Sequence, residues 1–426
     1  MVFSSLTFAL FFLVYFALHL LLPVRLRVWL IIAGSAYFYG SWKIEYLWIP
    51  FFLMGVAYIG AICISSRNDK SSKQLILVST LCILFLPLLV YKYLNFFHSA
   101  LTALTGAPTD KLVDLALPLG ISFITFTLTA YVVDIYTGRY PCPEKPKSVL
   151  AYVLFFPHLI AGPILRPSEL LPQITHQRKT SFRKLKTGLA IFTLGLVKKM
   201  IFADQIAEFV DRVYATGHPS GTEALLSIYG FSVQIYCDFS GYTDMAIGVA
   251  LLLGVGLPTN FHRPYTARTL VDFWRRWHVT LSTWLRDYLY IPLGGNRCGP
   301  YRKMGNLMVT MLLGGLWHGA NWTFVAWGAL HGLGLCVVNI FSTLSRRFSL
   351  PPLPGVLSVL LTFNFISLCW VYFRAPSIEV ANTILLASVS GNWGEPVLVL
   401  TSNLFLLFLL IVFFALHKFD NLLHIR

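Results

Sequence analysis

An all-α polytopic membrane domain with roughly ten to twelve membrane-embedded segments is the fold class predicted by composition, by uncharged runs and by the spacing of basic clusters. Of 426 residues, 56% are hydrophobic and only 12% are charged, against roughly 25% charged in soluble domains. Runs without Asp, Glu, Lys or Arg recur at 1–24, 46–66, 115–133, 304–345, 348–373 and 396–417. A helix needs about 20 apolar residues to cross the hydrocarbon core, so 304–345 is long enough for two crossings. No soluble domain, repeat or low-complexity tail breaks the pattern, and 1–426 reads as a single membrane domain.

The first run lacks a preceding basic region and a small-residue cleavage site, because Pro23 and Arg25 follow it directly. It therefore reads as the first transmembrane helix and not as a removed signal peptide. Arg25 and Arg27 follow the first apolar segment, Arg67, Lys70 and Lys73 the third, and Arg139, Lys145 and Lys147 the fifth. The loop from Phe97 to Asp114 sets Lys111 against Asp110 and Asp114. Basic residues collect at cytoplasmic helix ends, so the N-terminus is expected outside and odd-numbered helices are expected to end in the cytoplasm. The formal charge of +15 is explained by the same rule and does not call for nucleic acid as a partner.

The apolar stretch Ser148 to Leu165 breaks the alternation, because basic residues, including Arg166, Arg178, Lys179, Arg183, Lys184 and Lys186, flank it on both sides. It is expected to enter and leave by one face. Pro157, Gly162 and Pro163 interrupt its helix, and irregular backbone at that depth must be buried in protein or line a wet cavity. From Arg263 to Lys303 eight Arg or Lys residues alternate with Trp274, Trp277, Trp284, Tyr288 and Tyr290. Trp274, His278, Leu281 and Leu285 fall on one helical side, and Arg276, Thr280, Thr283 and Asp287 on another. A helix lying in the interface, apolar face inward, is the expectation. The seven cysteines include no CxxC pair, which supports neither a disulfide framework nor a zinc site.

Ionisable groups inside hydrocarbon are costly and mark functional positions. His318, in the sequence LGGLWHGANW, lies fifteen positions into the run 304–345, roughly 20 Å along a helix, and is expected to be buried. The glycines beside it leave room for a substrate or another backbone. A neutral imidazole there suits removal of a proton from a hydroxyl that attacks a thioester. The bland alternative is a buried histidine bonded to a carbonyl, and His331 in the same run is nearly its equal by position. His278, in FWRRWH, could hold a donor or second substrate near His318, or could be an ordinary interfacial side chain. Asp238 and Asp244, in YCDFSGYTD, are the only charges between 224 and 261. Two readings stand for them: a polar break at which Asp238 or Ser240 caps the following helix, which we favour, or a cleft wall that orients a histidine or arginine. The candidate cleft residues around the two histidines are thus Asp238, Ser240, Asp244, Trp274, Arg275, Trp317 and Asn321.

The stretch NFHRPYTARTLVDFWRRWHVTLSTWLRDYLYIPLGG (260–295), with YCDFSGYTDMAIG and GGLWHGANW, closely resembles the membrane-bound O-acyltransferase (MBOAT) family. The resemblance is to its bacterial subgroup of alginate O-acetylation proteins, related to membrane proteins that D-alanylate teichoic acid. FFPHLIAGPI, ALPLGISFITFTLTAYVVDIYTG and VYFRA match as well, so the likeness covers nearly the whole chain. His158 stands where glutamine is often expected. The resemblance implies that His318 is the essential histidine and that His278 fills the second, supporting position. It further implies helices around a thinned central cleft in a bacterial cytoplasmic (inner) membrane protein. There a cytoplasmic acyl thioester, acetyl-CoA or an acyl carrier, would serve as substrate with no bound cofactor and no metal. The acceptor would be a cell-envelope polysaccharide or a periplasmic acetyltransferase partner. A transporter or proton-coupled channel, with Asp238, Asp244 and His318 along a pathway, and an inactive scaffold of an envelope-synthesis complex are the competing classes.

Overall fold

A computed structural model describes residues 1–106, 111–141, 143–176, 180–349 and 351–419. Asp110, Cys142, Arg178 and Lys179 lie outside the described residues. The described chain is helical without strands and divides into two compact units, Met1–Thr193 with Tyr242–Pro258, and Leu194–Gly241 with Thr259–Arg426.

In the first unit, α1 (Leu6–Leu21) and α2 (Val24–Gly40) are separated by Pro23, whose fixed φ is compatible with an immediate helix start. Arg27, read from the sequence as a loop cation, is therefore inside α2, and it is buried beside the buried His19. At 16 residues α1 is shorter than the roughly 20 of a full perpendicular crossing. Helix α3 (Trp48–Ser66) packs on α4 (Lys70–Leu88) and α6 (Ile121–Tyr136), with α5 (Leu94–Thr105) between the latter two in sequence. Its buried Leu53, Ala57, Gly60, Ala61 and Ile64 follow the three-and-four spacing of one helical face. A side chain at Gly60 would strike Thr80 of α4, so the small residue sets that close approach.

Helix α7 (Pro146–Leu154) has nine residues, about 14 Å of rise, which is too short to cross. The following 155–166 are irregular, and α8 (Pro167–Thr175) comes next. As the two prolines and Gly162 require, this backbone is buried in protein: Phe155 and Phe156 are fully enclosed. Its polar groups find partners there. The Phe156 amide donates to Ser35 Oγ at 3.1 Å, Tyr152 Oη donates to the Leu165 carbonyl at 2.8 Å, and His158 Nε2 lies 3.0 Å from the Tyr152 carbonyl. A histidine at 158 is thus used as a donor to its own segment's backbone.

Helices α9 (Phe182–Val197) and α11 (Gly221–Leu252) each pass from one unit to the other along the chain. The second unit also holds α10 (Asp204–Thr216), α12 (Leu270–Trp274) and α13 (Val279–Leu285). It continues with α14 (Pro300–His318), α15 (Trp322–Arg347), α16 (Gly355–Arg374), α17 (Ile378–Ala387), α18 (Pro396–Ser402) and α19 (Leu404–Leu416). The run 304–345 does divide into two helices, α14 and α15, packed as a hairpin across residues 319–321. Gly315 and Gly328 make the seam: a Cβ on Gly315 would strike the Phe324 carbonyl, and one on Gly328 would lie 2.5 Å from the Met311 carbonyl. By length and apolarity, Ile44–Ser66, Lys70–Thr105, Trp322–Arg347 and Gly355–Arg374 can cross a membrane; α18 and α19, bent by 77°, add a fifth if they form one span.

Two sequence expectations are corrected. The polar stretch 236–244 is not a break at which Asp238 or Ser240 caps a helix, because it lies inside the uninterrupted 32-residue α11. Apolar residues on both sides of the polar cluster carry the helix through it, and Asp238 pairs with Lys199 from the π-turn that precedes α10. Nor is 274–287 one interfacial helix: α12 ends at Trp274, the chain turns, and α13 begins at Val279. His278, which heads α13, has φ 42° and ψ 56°, a left-handed conformation that a non-glycine residue adopts at a cost of about 1–3 kcal/mol. The expected polar face is not solvated either, since Thr280 and Asp287 are buried.

Candidate active site

The turn between α12 and α13 is held by a short backbone exchange. The Val279 amide donates to the Asn260 carbonyl at 3.0 Å, and the His262 amide to the Arg276 carbonyl at 2.8 Å. That pairing lays Asn260 beside His278, and all of Asn260, His278 and Thr280 are buried. Asn260 Oδ1 accepts from the Thr280 amide at 3.1 Å and from Thr280 Oγ1 at 2.9 Å, and stands 3.2 Å from His278 Nδ1. Phe239 of α11 packs edge-on against the His278 ring, with centroids 4.7 Å apart.

His278 lies outside every candidate span. Burial pushes its pKa well below the ordinary imidazole value, and the His318 imidazole pushes in the same direction. Both effects disfavour the charged form, so His278 is neutral at physiological pH.

His318 was expected to be buried about 20 Å along its run, and the structure leaves it only half-buried. It is the last residue of α14, half-buried where the hairpin turns. Gly319 follows in extended conformation, which ends the helix. Three aromatic rings surround it: Trp317 at 5.0 Å, Trp327 at 5.2 Å and Phe373 at 5.1 Å between centroids. Trp317 also reaches the His278 ring at 6.1 Å, so one indole lies next to both histidines.

His331, the near equal of His318 by sequence, is different in kind. It is fully enclosed by Phe273, Trp274, Trp327, Phe365 and Trp370. With five aromatic rings packed around it on the far side of Trp327 from His318, His331 is read as core.

The other candidates separate clearly. Trp317 is at the site, and Trp274 is one ring removed, on Trp327 at 5.8 Å. Arg275 is exposed. Asn321 caps α15, accepting from the Thr323 amide at 3.1 Å, while its Nδ2 donates to the Pro376 carbonyl at 3.1 Å. Asp238 pairs with Lys199 at 2.6 Å, and that lysine also meets Asp204 at 2.8 Å. Lys199 projects from a π-turn, Lys198–Ala203, between α9 and α10. Ser240 and Asp244 are buried on α11. Neither Asn260 nor Lys199 was singled out from the sequence. Asn260 opens the quoted 260–295 motif, which was its one available signal, whereas Lys199 looks like any basic residue near a helix end.

Comparison with known proteins identifies the family of the chain. The model of the membrane-bound O-acyltransferase family matches residues 35–375. Over 92% of this chain and 79% of the relative, the sequence is 39% identical to a probable alginate O-acetylase AlgI of Azotobacter vinelandii. It is 38% identical to a peptidoglycan O-acetyltransferase of Helicobacter pylori, over 87% of this chain and 75% of that one. A teichoic acid D-alanyltransferase of Bacillus subtilis is 28% identical over 58% of this chain and 66% of its own.

Proposed function

This chain belongs to the membrane-bound O-acyltransferase family and is a multi-pass membrane acyltransferase, and from that premise we propose that it is an O-acetyltransferase using His318 as general base. The donor is an acetyl thioester from the cytoplasm, carried by coenzyme A or an acyl carrier protein. The acceptor is a hydroxyl of a cell-envelope polysaccharide such as alginate or peptidoglycan, or of a periplasmic partner that passes the group on. Relatives named for O-acetylation of both polymers support that acceptor class. The basic loops of the sequence support a cytoplasmic-membrane orientation with the donor inside.

In this reading, the acceptor oxygen attacks the thioester carbonyl while His318 removes its proton. The new C–O bond forms, the C–S bond breaks, and the proton passes from His318 to the departing thiolate, which leaves the enzyme unchanged. Trp317, Trp327 and Phe373 wall the imidazole with apolar surface, which limits the access of water that would hydrolyse the thioester. The observation that carries the proposal is the contrast between the two histidines of the hairpin. His318 is half-buried at the turn, beside the Trp317 indole that also meets the His278 ring, and His331 is sealed.

Transport is less well supported, because Asp238 would have to line a pathway and its carboxylate is closed onto Lys199. The test of the proposal is acetyl incorporation into envelope polysaccharide by membranes containing the His318→Gln variant. Incorporation should be abolished, and near-normal incorporation would remove the general-base role.

A further inference from the structure

We infer that Asn260 is a positioning residue that fixes His278 in the Nδ1–H tautomer, leaving Nε2 as a bare acceptor that can receive a substrate's hydrogen bond but cannot donate one. The inference rests on the proposed catalytic role of the histidine pair for its functional meaning, and on hydrogen-bond bookkeeping for its substance.

The bookkeeping begins at Thr280. Its backbone N–H can only donate, and it points at the side chain of Asn260 from 3.1 Å. The atom facing it must therefore be the amide oxygen, which settles the orientation of Asn260 without appeal to the histidine. The same oxygen stands 3.2 Å from His278 Nδ1. An amide oxygen only accepts, so Nδ1 carries the proton. In a neutral imidazole the other nitrogen is then a lone pair.

That nitrogen, Nε2, is buried and has no hydrogen-bond partner among the described residues, in a residue with 0% exposure. A buried polar atom without a partner is costly, and the left-handed backbone at His278 adds strain at the same residue. Costs stacked at one position are found where geometry serves function. Facing the ring are Phe239 from α11 and Trp317 from α14, neither of them titratable at physiological pH, and among the described residues the titratable group acting on it is His318. A bare Nε2 beside the general base would accept a hydrogen bond from an O–H or N–H of the bound substrate. It could not stabilise an oxyanion, which needs a donor.

Nitrogen-15 NMR of histidine-labelled full-length protein in lipid nanodiscs reads the tautomer directly, because a protonated and a bare ring nitrogen resonate far apart. The resonance assigned to His278 by its loss in His278→Gln should show Nδ1 protonated and Nε2 bare at neutral pH. In Asn260→Leu the Nδ1–H signature should give way to Nε2–H. If that variant does not accumulate, Asn260→Asp decides. Its carboxylate retains the acceptor and adds a charge that favours imidazolium, so His278 should become doubly protonated at least about one pH unit higher than in the native protein. For function, Asn260→Leu should lower acetyl transfer as far as His278→Ala does and add nothing to it in the double variant. Protonation of Nε2 in the native protein, or an unmoved titration in Asn260→Asp, would overturn the inference. Activity retained by His318→Gln would instead sink the catalytic proposal and leave the tautomer assignment standing.

Discussion

Lys199 Nζ lies 2.6 Å from Asp238 Oδ1 and 2.8 Å from Asp204 Oδ1, so one cation joins α11 to the start of α10. Removing the Asp238 charge leaves Lys199 its second carboxylate. Asp238→Asn should therefore cost about 1 kcal/mol or less, as partly exposed pairs do, and acetyl transfer should fall by no more than about tenfold. Transfer per unit of membrane-embedded protein is the measurement. A thousandfold fall, about 4 kcal/mol of barrier, in a protein that accumulates normally would give Asp238 a catalytic role.

The histidines separate chemistry from packing. His318→Ala and His318→Gln should both abolish transfer with abundance unchanged, since glutamine keeps polarity and approximate size but cannot act as a base near neutral pH. His278→Ala should retain weak activity, because losing a positioning group costs less than losing the base. Variant activities normalised to immunodetected protein decide the ranking, and loss of the His318 variants from the membrane would attribute the defect to folding.

At His331 the expected damage is to stability. The residue is fully buried among five aromatic rings, and neither ring nitrogen has a hydrogen-bond partner among the described residues. His331→Ala should open a cavity costing about 2–4 kcal/mol, whereas His331→Leu fills the space and leaves no polar atom to satisfy. Thermal unfolding in detergent should place leucine above alanine, with specific activity of the folded fraction near normal in both. Specific activity lost in His331→Leu at unchanged stability would contradict the core reading.

The glycine seam of the hairpin makes a sharper demand. Because a Cβ on Gly315 would strike the Phe324 carbonyl, Gly315→Ala should push α14 from α15 and shift His318, three residues on. Overpacking of this kind costs about 1–3 kcal/mol. Both the unfolding temperature and the transfer rate should fall, and an unaffected rate would show that the position of His318 does not depend on the seam.

Topology is read by cysteine accessibility in intact cells. Single cysteines at positions 70, 145, 179 and 297 should be shielded from a membrane-impermeant reagent added outside, because the basic clusters assign those loops to the cytoplasm. Labelling at 179 but not at 145 would mean that 148–165 crosses fully.

Much was legible without coordinates. Membrane class, helical content and family follow from apolar runs and long motifs, because the bilayer admits few solutions for backbone hydrogen bonds. The buried irregular segment 155–166 was readable for the same reason: two prolines and a glycine forbid a helix, and burial must then supply partners such as Ser35.

What the sequence could not settle is where its polar residues go once helices meet. Spacing put His278 on a helical face, yet a left-handed turn at His278 and the Asn260 pairing place it; both depend on a segment eighteen residues away. Depth along the run favoured His318 and His331 almost equally, and only the packing of α14 on α15 leaves one at an open turn and encloses the other. Asp238 looked like a cap because its partner, Lys199, lies on a π-turn 39 positions earlier in the chain. Local pattern determines which segments bury apolar surface, since that term is roughly additive along the chain. Hydrogen bonds and ion pairs are directional and short-ranged, so their partners are decided only when the tertiary structure brings distant residues within reach.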